Sequence, residues 1–281
     1  MSDQRTSVPA VRATKRRNGD APLAMMTAYD EPTARLLDAA GVDLLLVGDS
    51  VANVVLGHDD TLQIGIDVMA HHTRAVAAAK PSAMIIGDLP WMSYHLTPVQ
   101  AVESAAVLIR AGADSVKLEG GANRVPAVRA IIDAEIPVMG HLGLTPQSVR
   151  AMGGFKVQGR SVDGADAIRR DALSLQEAGC FAIVLEGVPD VLGEAITAEL
   201  DIPTIGIGAG PATDGQVLVF HDAMGLSGRH VPKFVRTYGA IGEAITAAAA
   251  AYVADVKDGS FPAAAESYAT SDELRDHLGE A

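Results

Sequence analysis

Five apolar runs in this 281-residue chain end, one after another, in side chains able to do chemistry. Asp49 and Ser50 follow LLLVG, Asp88 follows MIIG, Lys117 and Glu119 lie in SVKLE, His141 follows PVMG, and Glu186 closes AIVLE. Side chains alternate along a strand, so Lys117 and Glu119 point the same way. Each residue taken alone has an ordinary explanation. An Asp or Ser after a strand commonly caps the next helix, and Asp88 before Leu-Pro can brace a turn. Lys117 can be a structural partner of Glu119 or Asp88, and a buried His such as His141 is more often satisfied in a core than bound to a ligand.

Taken together the residues resist that account. Four carboxylates facing one Lys cannot all stay ionised without another cation, and a bound metal removes the difficulty. Carboxylate oxygens with no CxxC or HExxH suit Mg2+ or another hard divalent ion that keeps water and accepts substrate oxygens, rather than structural zinc. Such an ion can clamp a 2-oxo acid and stabilise its enolate. Lys117 is then free to neutralise the substrate carboxylate or the developing oxyanion. Glu186, in VLEGVP, is the best placed base for the α-proton.

The elements that must position these groups are legible as short apolar runs followed by helical patterns. The runs are LAMMTA (23–28), LLLVG (44–48), AMIIGD (83–88), SVKLE (115–119), PVMGH (137–141), AIVLE (182–186), PTIGIG (203–208) and QVLVF (216–220). Helical spacing is clear over 97–113, 123–136 and 163–180. Strand alternating with helix predicts a parallel sheet. Runs apolar on both faces predict closure into an eight-stranded (β/α)8 TIM barrel. An open doubly wound sheet is the rival, but GIGAGP (206–211) has Pro211 where a third glycine should fall, and no P-loop is present. The same segment is open to two readings, an anion or folate contact or a plain glycine turn.

Two long connections, 50–66 and 142–162, follow strand ends and are expected over the barrel mouth. After the eighth strand, 233–256 reads as one long helix, and Thr270 with Glu273 reads as a capping box for a last short helix. The chain reads as one domain, its barrel core spanning about 23–255 and 256–281 forming a peripheral tail.

Composition narrows the class. The chain is 48% hydrophobic and 4% aromatic, which fits a globular α/β enzyme. A formal charge of −13 argues against nucleic acid or an acidic membrane as partner. The single cysteine, Cys180, fits a reducing cytoplasm and reads as a core residue. The N-terminal segment lacks an apolar signal core, its Arg and Lys fit either an organelle transit peptide or a short basic helix before the first strand, and the longest apolar stretch, 244–254, is too short to span a bilayer.

Eight segments in register carry a resemblance: MMTAYD (25–30), LLLVGDSVANVVLGHDDTL (44–62), GDLPWMSYH (87–95), GADSVKLEGG (112–121), GHLGLTPQS (140–148), FKVQGR (155–160), LEGVP (185–189) and GIGAGPATDGQVLVFHDAMGL (206–226). Together the chain resembles the ketopantoate hydroxymethyltransferase family from residue 23 to about 262. The resemblance implies a cytoplasmic TIM barrel that transfers a one-carbon unit from 5,10-methylenetetrahydrofolate to 3-methyl-2-oxobutanoate, working as a homodecamer. It implies that Asp49 and Asp88 hold Mg2+, with Glu119 ligating directly or through water. It further implies that Asp49, Ser50, Asp88 and Lys117 contact the oxo acid, that Glu186 accepts the proton, and that His141 stands behind them or beside the substrate. Trp91 and Asp60 depart from the family's usual Phe and small hydroxyl residue, which bears on pocket shape. A phosphoenolpyruvate mutase or isocitrate lyase relative is a rival of similar fold, but its KKCGH-type loop is absent. A binding protein with a decayed site would have lost acids that are all present here.

Overall fold

The computed structural model describes residues 5–15, 21–228 and 231–279. Eight parallel strands close in sequence order into a barrel: β1 (Leu23–Thr27), β2 (Leu44–Val47), β3 (Met84–Asp88), β4 (Ser115–Glu119), β5 (Val138–Gly143), β6 (Ala182–Glu186), β7 (Thr204–Ile207) and β8 (Gly215–Leu218). β8 pairs with β1, which removes both sheet edges. The helices are α1 (Val8–Ala13), α2 (Glu31–Ala39), α3 (Val51–Val54), α4 (Ile66–Ala78), α5 (Pro98–Arg110), α6 (Val125–Asp133), α7 (Val149–Met152), α8 (Val162–Ala178), α9 (Asp190–Glu199), α10 (Phe220–Ala223), α11 (Ile241–Asp258) and α12 (Asp272–Leu278). Their starts follow local chemistry: Asp30, Thr97 and Ser161 accept backbone N–H bonds at the heads of α2, α5 and α8.

The two faces of each strand enter two different cores. Leu44 and Leu46 of β2 join Met84, Ile86, Met139, Ala182, Val184 and Ile205 inside the barrel. Leu45 and Val47 join Ile85, Val116, Leu118, Ile183 and Leu185 between barrel and helices. That is why the runs are apolar on both faces. Val11 of α1 packs into the barrel interior, and Lys15 beyond it donates to the Thr197 and Ile202 carbonyls and to Asp214 at 2.7, 3.0 and 2.8 Å. The N-terminal helix therefore seals the face opposite the strand C-termini.

Two expectations are corrected. The segment 233–256 is not one helix, because α11 begins only at Ile241. Before it the chain is held as a strap, Tyr238 and Ile241 donating to the carbonyls of Ala223 and Met224 at 2.7 and 3.1 Å. Gly239 O also lies so near Gly225 that a Cβ there would sit 2.5 Å from it, and these tertiary contacts override local helix propensity. At the tail the cap is Ser271 rather than Thr270, its hydroxyl accepting from Leu274 N. Arg12 lies in α1, whereas Arg16 and Arg17 of the expected basic helix fall outside the described residues. Among the described residues no helix is long and apolar enough to cross a membrane.

Candidate active site

The inward rows of the barrel explain the site. Asp88 continues the row Met84–Ile86, His141 follows Met139, and Glu186 follows Ala182 and Val184, each two residues on. Strand register sets them side by side, with Asp88 opposite Lys117 and Glu119 opposite His141. Glu186 lies opposite Gly143, whose φ of 91° and closeness to the Glu186 carbonyl, 2.2 Å from where a Cβ would stand, require glycine. The strand C-termini thus convert an apolar interior into a polar cup.

The expected catalytic, metal-holding and substrate-binding residues line one cavity of about 130 Å3: Asp49, Ser50, Asp88, Lys117, Glu119, His141 and Glu186. Leu46, Val184, Ile207 and Val217 supply its apolar wall, and the two long connections contribute Asn53, Thr61, Pro146 and Phe155 at its mouth. Asp60 joins these connections by pairing with Arg150 of α7 at 2.9 Å. Trp91 is 41% exposed and stays outside the cavity lining. The glycines of 206–211 make a close-packed turn, where a Cβ on Gly208 would meet the Phe234 ring at 2.6 Å.

Ser50 begins α3 without capping it; its hydroxyl instead lies 2.8 Å from the Tyr29 hydroxyl. Asp88 braces no turn of its own, accepting from Lys117 Nζ at 2.7 Å and from Asp49 N at 3.2 Å. Lys117 Nζ is also 3.8 Å from Glu119 Oε1. His141 is not a satisfied core histidine. Its Nδ1 and Nε2 lie 3.4 and 3.2 Å from Glu119 and Glu186, as ion pairs without aligned hydrogen bonds.

Electrostatics follow from burial and crowding. Burial, then the charges of Asp88 and Glu119, push the Asp49 carboxyl well above its ordinary range. Burial also raises Asp88, Glu119 adding to it and Lys117 opposing it. Burial opposes the charge on Lys117, but Asp88, Glu119 and Asp49 outweigh it and hold the ammonium firmly protonated. Burial and Lys117 oppose protonation of His141, yet Glu119 and Glu186 push it up to about 9. Four carboxylates therefore face two cations, a deficit that one divalent ion would cancel.

Among the described residues no three His, Cys, Asp or Glu side chains already form a metal cage. The donor set still fits a hard ion of the Mg2+ kind, which takes one or two carboxylates and fills its remaining positions with water and substrate oxygen. Glu119 Oε1, buried without a hydrogen bond and facing only the longer ion pairs with His141 and Lys117, is the atom that points to such a role.

Three contributors escaped the sequence reading. Gln147 donates to Asp49 Oδ2 at 3.0 Å and to the Leu89 carbonyl at 2.9 Å, while its backbone N–H donates to Glu119 Oε2 at 3.0 Å. Tyr94 donates to Gln147 Oε1 at 2.7 Å and accepts from Glu119 N at 3.1 Å. Tyr29 aligns Ser50. All three stand in segments quoted above, and their only signal is a neutral polar side chain beside a strand end.

A model of the ketopantoate hydroxymethyltransferase family matches residues 5–264. The chain is 50% identical over 269 residues to a 3-methyl-2-oxobutanoate hydroxymethyltransferase of Pelobacter propionicus, covering 95% of this chain and 100% of that one. It is 52% identical over 259 residues to the protein of that name from Moorella thermoacetica, covering 92% and 96%. Among solved structures it is similar to phosphonopyruvate hydrolase, with a TM-score of 0.61 at 15% identity over 98% of this chain and 95% of that one. It is also similar to 2,3-dimethylmalate lyase, with a TM-score of 0.60 at 18% identity over 90% and 89%. At such identities these structures speak for the barrel fold alone.

Proposed function

The chain belongs to the ketopantoate hydroxymethyltransferase family, and from that premise we propose that it converts 3-methyl-2-oxobutanoate to ketopantoate with 5,10-methylenetetrahydrofolate as one-carbon donor and a divalent cation, Mg2+, in its site. In this reading the enzyme feeds pantothenate biosynthesis and works in the cytoplasm as a homodecamer. The observation that carries the reading is the meeting, in one small cavity, of Glu186, Lys117 and the Asp49–Asp88 pair with a branched apolar wall. Those are the features a small branched 2-oxo acid requires.

Asp49 and Asp88 would hold the cation, Glu119 would ligate it directly or through water, and the ion would supply Lewis-acid polarisation of the oxo group. Lys117 and Ser50 bind the substrate's oxygens, Lys117 offering N–H donors not used by Asp88 and Ser50 held in place by Tyr29. Leu46, Val184, Ile207 and Val217 receive the isopropyl group and keep water off the reacting carbon. Glu186 removes the C3 proton. At 15% side-chain exposure it is the acid most open to substrate among those paired with Lys117 or His141. His141, 3.2 Å away, orients its carboxylate for that step. C3 then bonds to the donor's methylene carbon as one of that carbon's C–N bonds opens, water adds its oxygen to the same carbon as the other C–N bond breaks, and tetrahydrofolate leaves with the C3 proton and one proton of the water on its two nitrogens.

The test is proton exchange at C3 of 3-methyl-2-oxobutanoate in D2O with Mg2+ and no folate, followed by NMR. Wild type should exchange the proton, and Glu186→Gln should slow exchange by about 100-fold or more. Equal rates would remove Glu186 from the role of base.

A further inference from the structure

We propose that Gln147 is the positioning residue of the cation site, fixing which oxygens of Asp49 and Glu119 remain for a divalent ion. The inference rests on the cation reading above and adds to it a residue that makes no contact with the ion.

The geometry is unusually complete for a neutral side chain. Gln147 is 5% exposed, and its amide has every polar function engaged. Nε2 uses both protons, on Asp49 Oδ2 at 3.0 Å and the Leu89 carbonyl at 2.9 Å, while Oε1 accepts from Tyr94 at 2.7 Å. The backbone adds a fourth bond. Gln147 is the middle residue of the 3-10 turn Pro146–Ser148, so its N–H has no acceptor within that turn. It is given to Glu119 Oε2 at 3.0 Å. One residue on the β5 connection thereby ties the ends of β2, β3 and β4 together.

The consequence for the carboxylates is selective. With Oδ2 of Asp49 and Oε2 of Glu119 engaged by Gln147, each carboxylate presents its other oxygen. Asp88 differs, its Oδ1 taken by Lys117 and its Oδ2 accepting the longer bond from Asp49 N. Glu119 Oε1 is left buried without a hydrogen bond. A neutral donor suits this task because it favours the ionised carboxylates without bringing a charge that would compete with a metal. A Lys in its place would be such a competitor, and a Glu would add repulsion beside Asp49. Tyr94 fixes the sense of the amide, since rotation by half a turn would aim Oε1 at Asp49 and leave the Tyr94 hydroxyl facing an N–H.

Partners behind metal ligands typically change metal affinity by about 10- to 100-fold when removed. The experiment titrates the full chain with Mn2+, without substrate or folate, and reads free Mn2+ by electron paramagnetic resonance. Circular dichroism checks the fold. Gln147→Met, which keeps the volume and removes the polar groups, should weaken Mn2+ binding by about 10- to 100-fold. Gln147→Glu should also weaken it although it adds a negative charge, whereas binding as tight as wild type or tighter would mean that charge alone governs the site and would overturn the inference. Should neither variant fold, Tyr94→Phe decides: weaker Mn2+ binding supports the inference and unchanged binding overturns it. A wild type that takes up no Mn2+ would overturn the cation reading itself and this inference with it, while tight binding by wild type and Gln147→Met alike would overturn the inference alone.

Discussion

Buried between Asp88 and Glu119, the Lys117 ammonium sits 2.7 and 3.8 Å from their carboxylates and, among the described residues, is the one lysine lining the cavity. Removing one partner of a buried ion pair strands the other, at a cost of about 3–5 kcal/mol, more than the pair itself contributes. Lys117→Met should therefore lower the urea midpoint sharply. Lys117→Met combined with Asp88→Asn should recover part of the loss, because the stranded charge is then gone. An additive double mutant would show that the two groups do not sense each other. The same logic explains which site residues can be found in sequence alone. Asp88, His141 and Glu186 interrupt inward apolar rows, and Lys117 and Glu119 put two charges on the inward face of a buried strand, so their charge marks them. Gln147, Tyr94 and Tyr29 interrupt nothing; their roles arise from loops brought together by the barrel, and no periodicity records that.

At the scale of elements, the strands could be read because burial on both faces gives unbroken apolar runs, and the connections could not because hydrogen bonds distant in sequence shape them. The β3–α5 connection is an example. Met92 has a φ of 67°, a strained value for a residue with a side chain. It is held there by donating its N–H to His95 Nδ1 at 3.2 Å and accepting from Gln100 Nε2 at 2.7 Å. His95 must stay neutral to accept that bond, and burial, then the charge of Arg124, lowers it to about 4. The folded value lies below the ordinary 6.5. The unfolded chain therefore takes up the proton first, and stability present above pH 6.5 is lost as pH falls towards 4. Chemical denaturation across that window should show a shallower pH slope in His95→Gln than in wild type. Identical slopes would mean that His95 titrates freely in the folded loop.

For the whole molecule the unbalanced feature is α11. None of its 18 residues is buried, although a helix in water draws most of its stability from packing an apolar face. Ile241, Ile245, Tyr252 and Val256, 42% to 58% exposed, recur at spacings that place them within one narrow stripe. Phe234 and Tyr238 extend exposed apolar surface along the strap leading to it. Scattered apolar residues would need no explanation, but a continuous stripe calls for a cover. A second copy of the chain is the economical one, since closed symmetry repeats the same contact on every subunit. Light scattering coupled to size exclusion should therefore find an oligomer. Replacing Ile245 and Tyr252 together with Glu should shift it to smaller species while circular dichroism still reports a folded barrel, because neither side chain enters the barrel cores. A monomeric wild type at micromolar concentration would show that the stripe is covered by something other than this chain.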